Sequence, residues 1–202
     1  MFPIFPSNTR SMQKLLLPVA LLVSMMAFSQ RTERGFGTVY LERHQLQVNL
    51  LLPGLQYEFG LLPNLSVGAD VGLSLATPRA GYSLAPAYRA FSRYYHNLNH
   101  RASSGKNVSG NSGNFFAISF HNYFTRWELA GNLDNAGRDL IFLGGLYGIQ
   151  RSYSGGFSFG LEAGAGYYFR NNISSGIGPA VNFRVSWNPF ARNRKNQGGD
   201  PF

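Results

Sequence analysis

Residues 157–170 read FSFGLEAGAGYYFR. Phe157, Phe159, Leu161, Ala163, Ala165, Tyr167 and Phe169 alternate with Ser158, Gly160, Glu162, Gly164, Gly166, Tyr168 and Arg170. Successive side chains of an extended strand point to opposite faces, so this period of two predicts a strand with one apolar face and one small or polar face. The pattern recurs from Leu65 to Leu75, where Leu, Val and Ala alternate with Ser66, Gly68, Asp70, Gly72 and Ser74. It recurs again from Ile177 to Asn188, where Ile177, Pro179, Val181, Phe183, Val185 and Trp187 oppose Gly178, Ala180, Asn182, Arg184, Ser186 and Asn188.

A strand in a globular protein usually has about five or six residues, whereas these three segments of 11 to 14 residues are long enough for the roughly 9–11 that a tilted strand needs to cross a bilayer. That length predicts an all-β fold: an antiparallel, up-and-down transmembrane β-barrel. In that setting the apolar face meets lipid and the polar, glycine-rich face fills the lumen. Small inward residues suit a narrow barrel, whose interior just holds its own side chains.

Shorter stretches complete the sheet. Leu46, Val48, Leu50 and Leu52 alternate with Gln45, Gln47 and Asn49, and Leu55, Tyr57 and Phe59 alternate with Gln56 and Glu58, the two runs being separated by the turn signal Pro53-Gly54. Leu84–Tyr95 sets Arg89, Phe91 and Arg93 on one face, Phe116, Ile118 and Phe120 oppose Ala117, Ser119 and His121, and Leu140–Arg151 is apolar with Gly144, Gly145 and Gly148. Dividing the chain at Pro53-Gly54 gives about eight strands, an even number that puts both termini at one end. The long connection His96–Gly113 then lies at that same, periplasmic end, although long loops of such barrels usually face outward. Reading Gln45–Phe59 as one bent strand, with a further strand later in the chain, would turn the loop outward.

The ends of the chain read differently. Arg10 and Lys14 precede an apolar run from Leu15 to Phe28, and Ala27-Phe28-Ser29 places small residues where signal peptidase cuts. The run is shorter than the roughly 20 residues of a helical span and is interrupted by Pro18, so residues 1–29 are expected to be a cleaved signal peptide, with Met12 an alternative start. Residues 30–43 are then an N-terminal extension, 44–188 the barrel, and 189–202 a polar, basic tail. The full chain of 202 residues carries 18 Lys and Arg against 9 Asp and Glu, a net +9; removing residues 1–29 takes two bases and no acid, leaving +7. Many arginines sit inside apolar strands and do not cluster on one exposed face, which argues against a nucleic-acid partner. The absence of cysteine excludes disulfides, thiol catalysis and thiolate metal sites.

The run from Asn49 through Tyr57-Glu58 to Asn64-Leu65-Ser66, then Arg93-Tyr94-Tyr95-His96-Asn97-Leu98, Gly105-Lys106 and Ser112-Gly113-Asn114, resembles the small outer-membrane β-barrel proteins of Bacteroidota. The likeness covers most of the chain after residue 29. It implies location and fold and carries over no catalytic residue.

The residues able to do chemistry are the charges on the predicted lumen face: Glu58, Asp70, Arg89, Arg93, Glu162 and Arg184, with His121 as a titratable neighbour. A charge inside a narrow barrel must be paired or solvated, so Glu162 and Arg184, on consecutive strands, are expected to form a structural lumen pair. An ion path is the alternative, disfavoured by the narrow bore. Ser119, His121 and Glu128 supply the residue types of a Ser-His-acid hydrolase, as in barrels resembling lipid A deacylases. Strand rise, however, sets Ser119 and His121 about 7 Å apart, beyond the ~3 Å reach that a nucleophile and base need. His44, His96 and His100 read as surface or loop residues, and no metal or cofactor is expected. Tyr94, Tyr95, Tyr123, Phe124, Trp127, Tyr147, Tyr153, Tyr167, Tyr168 and Trp187 fall near strand ends, as an interfacial girdle requires. Residues 96–114 read as a basic, flexible loop that is either solvated or in contact with lipopolysaccharide or another anionic envelope polymer. The expected role is therefore structural or envelope-interacting, with outer-membrane lipid as partner and without catalysis. A membrane-embedded lipid-modifying hydrolase and a soluble periplasmic lipid-binding barrel are the rivals.

Overall fold

A computed structural model describes residues 41–77, 81–132, 139–169 and 175–190. The expected signal peptide, most of the N-terminal extension and most of the C-terminal tail lie outside these residues. The strands are β1 (His44–Asn49), β2 (Gly54–Leu62), β3 (Leu65–Ala76), β4 (Ser83–Tyr95), β5 (Asn114–Tyr123), β6 (Ala130–Gly131), β7 (Leu140–Ser152), β8 (Phe157–Phe169) and β9 (Gly176–Trp187). All pairings are antiparallel, and β1-β2-β3-β4-β5-β7-β8-β9 closes on itself as a ring of eight strands. The two-residue β6 lies outside the ring and pairs only with Ser83 and Leu84 at the start of β4.

Pro53-Gly54 does separate two strands. β1 stops at Asn49, earlier than the alternation to Leu52 suggested, because residues 50–53 form the turn that carries the chain back along β2. The single bent strand is thereby excluded. The loop 96–113 shares an end of the barrel with the start of β1 and the finish of β9, here called the terminal end; the turn 50–53 and the loops after β3, β5 and β8 mark the opposite end.

Closure between β1 and β9 is brief. Only Val48↔Trp187 and Asn49↔Ser186 pair across it, supplemented by the Leu50 N–H donating to the Val185 carbonyl at 2.8 Å. The other seams run from 6 to 12 residue pairs.

The faces are arranged as the alternation predicts. Leu55, Val71, Tyr88, Ile118, Leu143, Leu161, Val181 and Phe183 are exposed on the outside, whereas Gln45, Gln56, Glu58, Ser66, Arg93, Ser119, Glu162 and Ser186 are buried inside. The lumen is nonetheless less uniformly polar than small-residue alternation implies. Tyr95, Phe115 and Leu98 fill it toward the terminal end, and Tyr123, Leu140, Phe142 and Tyr168 fill it toward the opposite end, all buried in one apolar cluster. Glycines make room for these rings: a Cβ at Gly148 would collide with Phe115, and one at Gly68 with Phe91.

The loop after β4 is not a free connection. It opens with a short helix, α1 (Leu98–Ser103), whose Leu98 inserts into the apolar cluster. Its second half folds against the lumen mouth. The Gly110 carbonyl accepts from Gln45 Nε2 (3.1 Å), Gln150 Nε2 (2.7 Å) and Ser152 Oγ (3.0 Å), and the Gly110 N–H donates to Glu42 Oε1 at 2.8 Å. Asn111, fully buried with φ 55°, donates through Nδ2 to Glu58 Oε1 at 3.1 Å and accepts the Glu42 N–H at 2.8 Å. Asparagine tolerates this left-handed backbone better than most residues. The expected flexible loop is thus, over residues 107–113, a plug. His100, by contrast, donates no side chain to the mouth and stays exposed with Lys106.

Candidate functional site: a charge belt across the lumen

Period two places Gln56 and Glu58 of β2, Ser66 and Asp70 of β3, Arg89, Arg93 and Tyr95 of β4, Ser119 and His121 of β5, Glu162 of β8 and Arg184 of β9 on the inward face. In a barrel this narrow, residues on opposite walls reach one another. Glu162 is the hub. Its Oε2 accepts from Arg89 Nη1 at 2.7 Å, and its Oε1 accepts from Arg93 Nη2 at 2.6 Å and Arg184 Nη2 at 2.9 Å. Arg89 Nε also donates to Asp70 Oδ2 at 2.6 Å, and Arg93 Nη1 to Glu58 Oε2 at 2.7 Å. The expected pair Glu162–Arg184 exists, but it is one contact within a belt of three guanidiniums and three carboxylates.

Glu58 Oε1, opposite Arg93, receives three neutral donors: Ser66 Oγ at 2.7 Å, Tyr95 Oη at 2.8 Å and Asn111 Nδ2 at 3.1 Å. Gln56 Oε1 accepts from Arg89 Nη2 at 3.1 Å and from Arg184 Nη1, and Gln56 Nε2 donates to Gln47 Oε1 at 3.3 Å. The Arg93 guanidinium lies over the Phe91 and Phe115 rings, 4.1 and 4.6 Å from their centroids, and Arg89 lies 4.7 Å from Phe91. Buried charges so paired meet the condition for retaining ions in a low dielectric, although Arg93 Nε is buried without a hydrogen-bond partner. All six charges named from sequence are gathered here.

Alternation offered Gln56 and Ser66 as inward residues, but nothing in the pattern marks them as ligands of an ion, and Tyr95 was expected in the aromatic girdle. Asn111 lies in a loop whose folding back depends on distant partners, so no local signal predicts it. Tyr95, Tyr123 and Tyr168 do not belong to an aromatic girdle: they stand on the inward parity of β4, β5 and β8 and are buried. Tyr94, Trp127, Tyr147, Tyr153, Tyr167 and Trp187 are exposed as that expectation requires.

His121 also departs from expectation. Ser119 Oγ lies 2.9 Å from His121 Nε2, not about 7 Å away, because side chains lean along the strand and an imidazole spans the pleat. His121 Nδ1 hydrogen-bonds the Tyr123 hydroxyl at 3.1 Å, so a phenol and not a carboxylate orients the ring. Glu128 sits beyond β5 with its carboxylate over Gly131, where it cannot serve as the acid of a triad. Ser119 itself is fully buried. His44, which opens β1, hydrogen-bonds Tyr57 Oη at 2.6 Å, and His96 packs on Phe116 and Tyr147. Among the described residues no three His, Asp or Glu side chains gather as a metal site.

Chemically, the belt is electrically balanced: three positive and three negative groups, with the plug residue Asn111 joined to it. Such an arrangement locks walls together and obstructs the bore. Comparison of the chain with protein-family models, with curated protein sequences and with solved structures yields no match.

Proposed function

We propose that this chain is an integral outer-membrane β-barrel of a Gram-negative bacterium, exported through a signal peptide cleaved after Ser29. Its role is structural or envelope-interacting, its lumen is filled by polar and charged side chains, and it performs no catalysis. The observation that carries this reading is the inversion of its faces. Large apolar side chains stand exposed on the outside of β2 through β5 and β7 through β9, while arginines and carboxylates are buried within. An apolar mantle of that extent is a liability in water and the normal dress of a barrel in lipid. The resemblance to small Bacteroidota barrels supports the same location.

The inversion also speaks against a soluble lipid carrier, whose cavity would be lined by the bulky apolar residues. The hydrolase reading is favoured by the Ser119–His121 contact alone, and the buried serine and missing acid weigh against it. Carbonate washing of an envelope fraction should leave the protein in the membrane pellet, with Gln30 as its N-terminus by mass spectrometry. Release into the soluble fraction would overturn the proposal.

A further inference from the structure

The registers leave a notch in the wall at the opposite end. β2 meets β3 as far as Gly54↔Gly72, extended by the Leu73 N–H donating to the Pro53 carbonyl at 2.9 Å, so among the described residues Ser74–Ala76 pair on one side only, with β4. β9 from Gly176 to Arg184 likewise pairs only with β8 among the described residues. The β1–β2 hairpin turns back at residues 50–53, well short of its neighbours, and leaves β3 and β9 as facing edges. Ile177 and Val181 on β9 are 70% and 69% exposed, and Leu75 on β3 is 48% exposed, so the apolar mantle continues up both sides of the gap. Behind it lies a cavity of about 40 Å³ that reaches Asp70, Arg89 and Arg184 of the belt and is also lined by Leu51 and Leu52.

Polar groups at this cavity remain unspent. Asn49 Oδ1 is buried without a hydrogen-bond partner. Among the described residues the Asn182 side chain has no hydrogen-bond partner, Asp70 uses only Oδ2, and Arg184 uses one N–H on each terminal nitrogen. The site therefore offers acceptors and donors together. The belt behind it is already neutral, so an added ion would be buried without a counter-ion. A hydroxyl both donates and accepts and carries no charge. The volume holds a few waters, enough for one or two hydroxyl groups.

We propose that the notch is a lateral binding site for an amphiphile with a small, uncharged, hydroxyl-bearing head, of the monoacylglycerol kind. The head enters between β3 and β9 to meet Asn49, Asp70 and Asn182, and the acyl chain stays outside along Val71 and Phe183. The inference rests on the bilayer reading, since only there do the free edges and the chain share an apolar medium.

The test uses the full-length protein in phosphatidylcholine vesicles with a photoreactive monoacylglycerol. Labelling should saturate, map to peptides containing Leu51, Leu73 or Phe183, and be displaced by unlabelled monoolein but not by equal amounts of oleate or oleylamine. Asn182→Phe, which fills the cavity outside the charge belt, and Asn49→Leu should each weaken displacement at least about tenfold, the factor that a lost polar contact of about 1.4 kcal/mol produces. Heat-modifiable gel mobility reports whether each variant is folded, and the wild-type competition decides the matter if neither is. Labelling that no competitor displaces, equal displacement by oleate, or wild-type behaviour of both folded variants would overturn the site. Loss of the protein to the carbonate wash would instead overturn the membrane reading on which it rests.

Discussion

Replacing Glu162 with Gln should be the most damaging conservative change in the lumen. Glu162 is 1% exposed and accepts hydrogen bonds from Arg89, Arg93 and Arg184 at 2.6 to 2.9 Å. Removing one partner of a buried ion pair costs about 3–5 kcal/mol. Here a single carboxylate is shared by three guanidiniums and is the sole ion partner of Arg184, and the amide would turn an N–H₂ toward donors, so the upper end, about 5 kcal/mol, is expected. Arg184→Met leaves Glu162 with Arg89 and Arg93 and should cost only about 1.5–3 kcal/mol, the worth of a hydrogen bond to a charged group. In the double variant the one cation left without a carboxylate is gone, since Arg89 keeps Asp70 and Arg93 keeps Glu58, so a large part of the Glu162→Gln loss should return. The assay is urea unfolding in lipid vesicles, with heat-modifiable mobility as the fold criterion. At a slope of about 2 kcal/mol per molar urea, Glu162→Gln should lower the midpoint by roughly 2.5 M. Equal losses for the two single variants, or a double variant equal to their sum, would refute the hub.

Three further outcomes follow from the same geometry. Leu161→Arg, near the middle of β8, should cost about 2–4 kcal/mol in a bilayer, and Ile177→Arg, at the rim of β9, no more than about 1 kcal/mol; equal costs in vesicle unfolding would show that the mantle does not face lipid. Gly148→Val should lose about 1–3 kcal/mol by overpacking against Phe115, while Gly145→Val, whose added carbon meets nothing within 4 Å, should leave the unfolding midpoint unchanged; a matching loss at both positions would undo the account of the lumen glycines. Asn111→Ala removes the plug's hold on Glu58 and should speed tryptic cleavage at Lys106, with planar-bilayer conductance at baseline in the wild type; cleavage at an unchanged rate, or a selective wild-type conductance, would count against the plug.

The fold was legible because a strand's facing is a local property. The alternation of Phe157–Phe169 or Leu65–Leu75 survives in the folded barrel as outside and inside, and Pro53-Gly54 marked the strand break because a proline cannot donate to a continuing ladder and the pair favours a turn. The charges were legible for the same reason: parity alone puts Glu58, Asp70, Arg89, Arg93, Glu162 and Arg184 in the lumen. Who pairs with whom was not. Glu162 meets Arg89 and Arg93 across the bore, through a combination of stagger and closure that no single strand encodes. The plug was hidden because 107–113 is polar and glycine-containing, like any solvated loop, and its order comes from Gln45, Glu58 and Gln150 on distant strands. The Ser119–His121 contact escaped because strand rise measures backbone separation, whereas a long side chain can lie along the strand and halve it.

The belt has a consequence for how the barrel closes. The β1–β9 seam contributes two residue pairs, too little backbone pairing to fix register by itself. A slip of one residue turns every side chain of a strand to the other face. For β9 against β8 that slip would carry the charged Arg184 from Glu162 and Gln56 out into the apolar mantle and leave each of those partners one donor short. For β2 it would expel Gln56 and Glu58 together, removing the acceptors of Arg93, Arg184 and Asn111. Each of these errors costs several kcal/mol, more than the few hydrogen bonds the seam could recover by shifting. Cross-lumen charge pairing thus does at the weak seam what a long ladder does elsewhere: it ties β2, β3 and β4 to β8 and β9 in a single register. This also accounts for ions where packed apolar side chains would be at least as stabilising, since apolar residues interchange between neighbouring positions and a guanidinium facing a carboxylate does not.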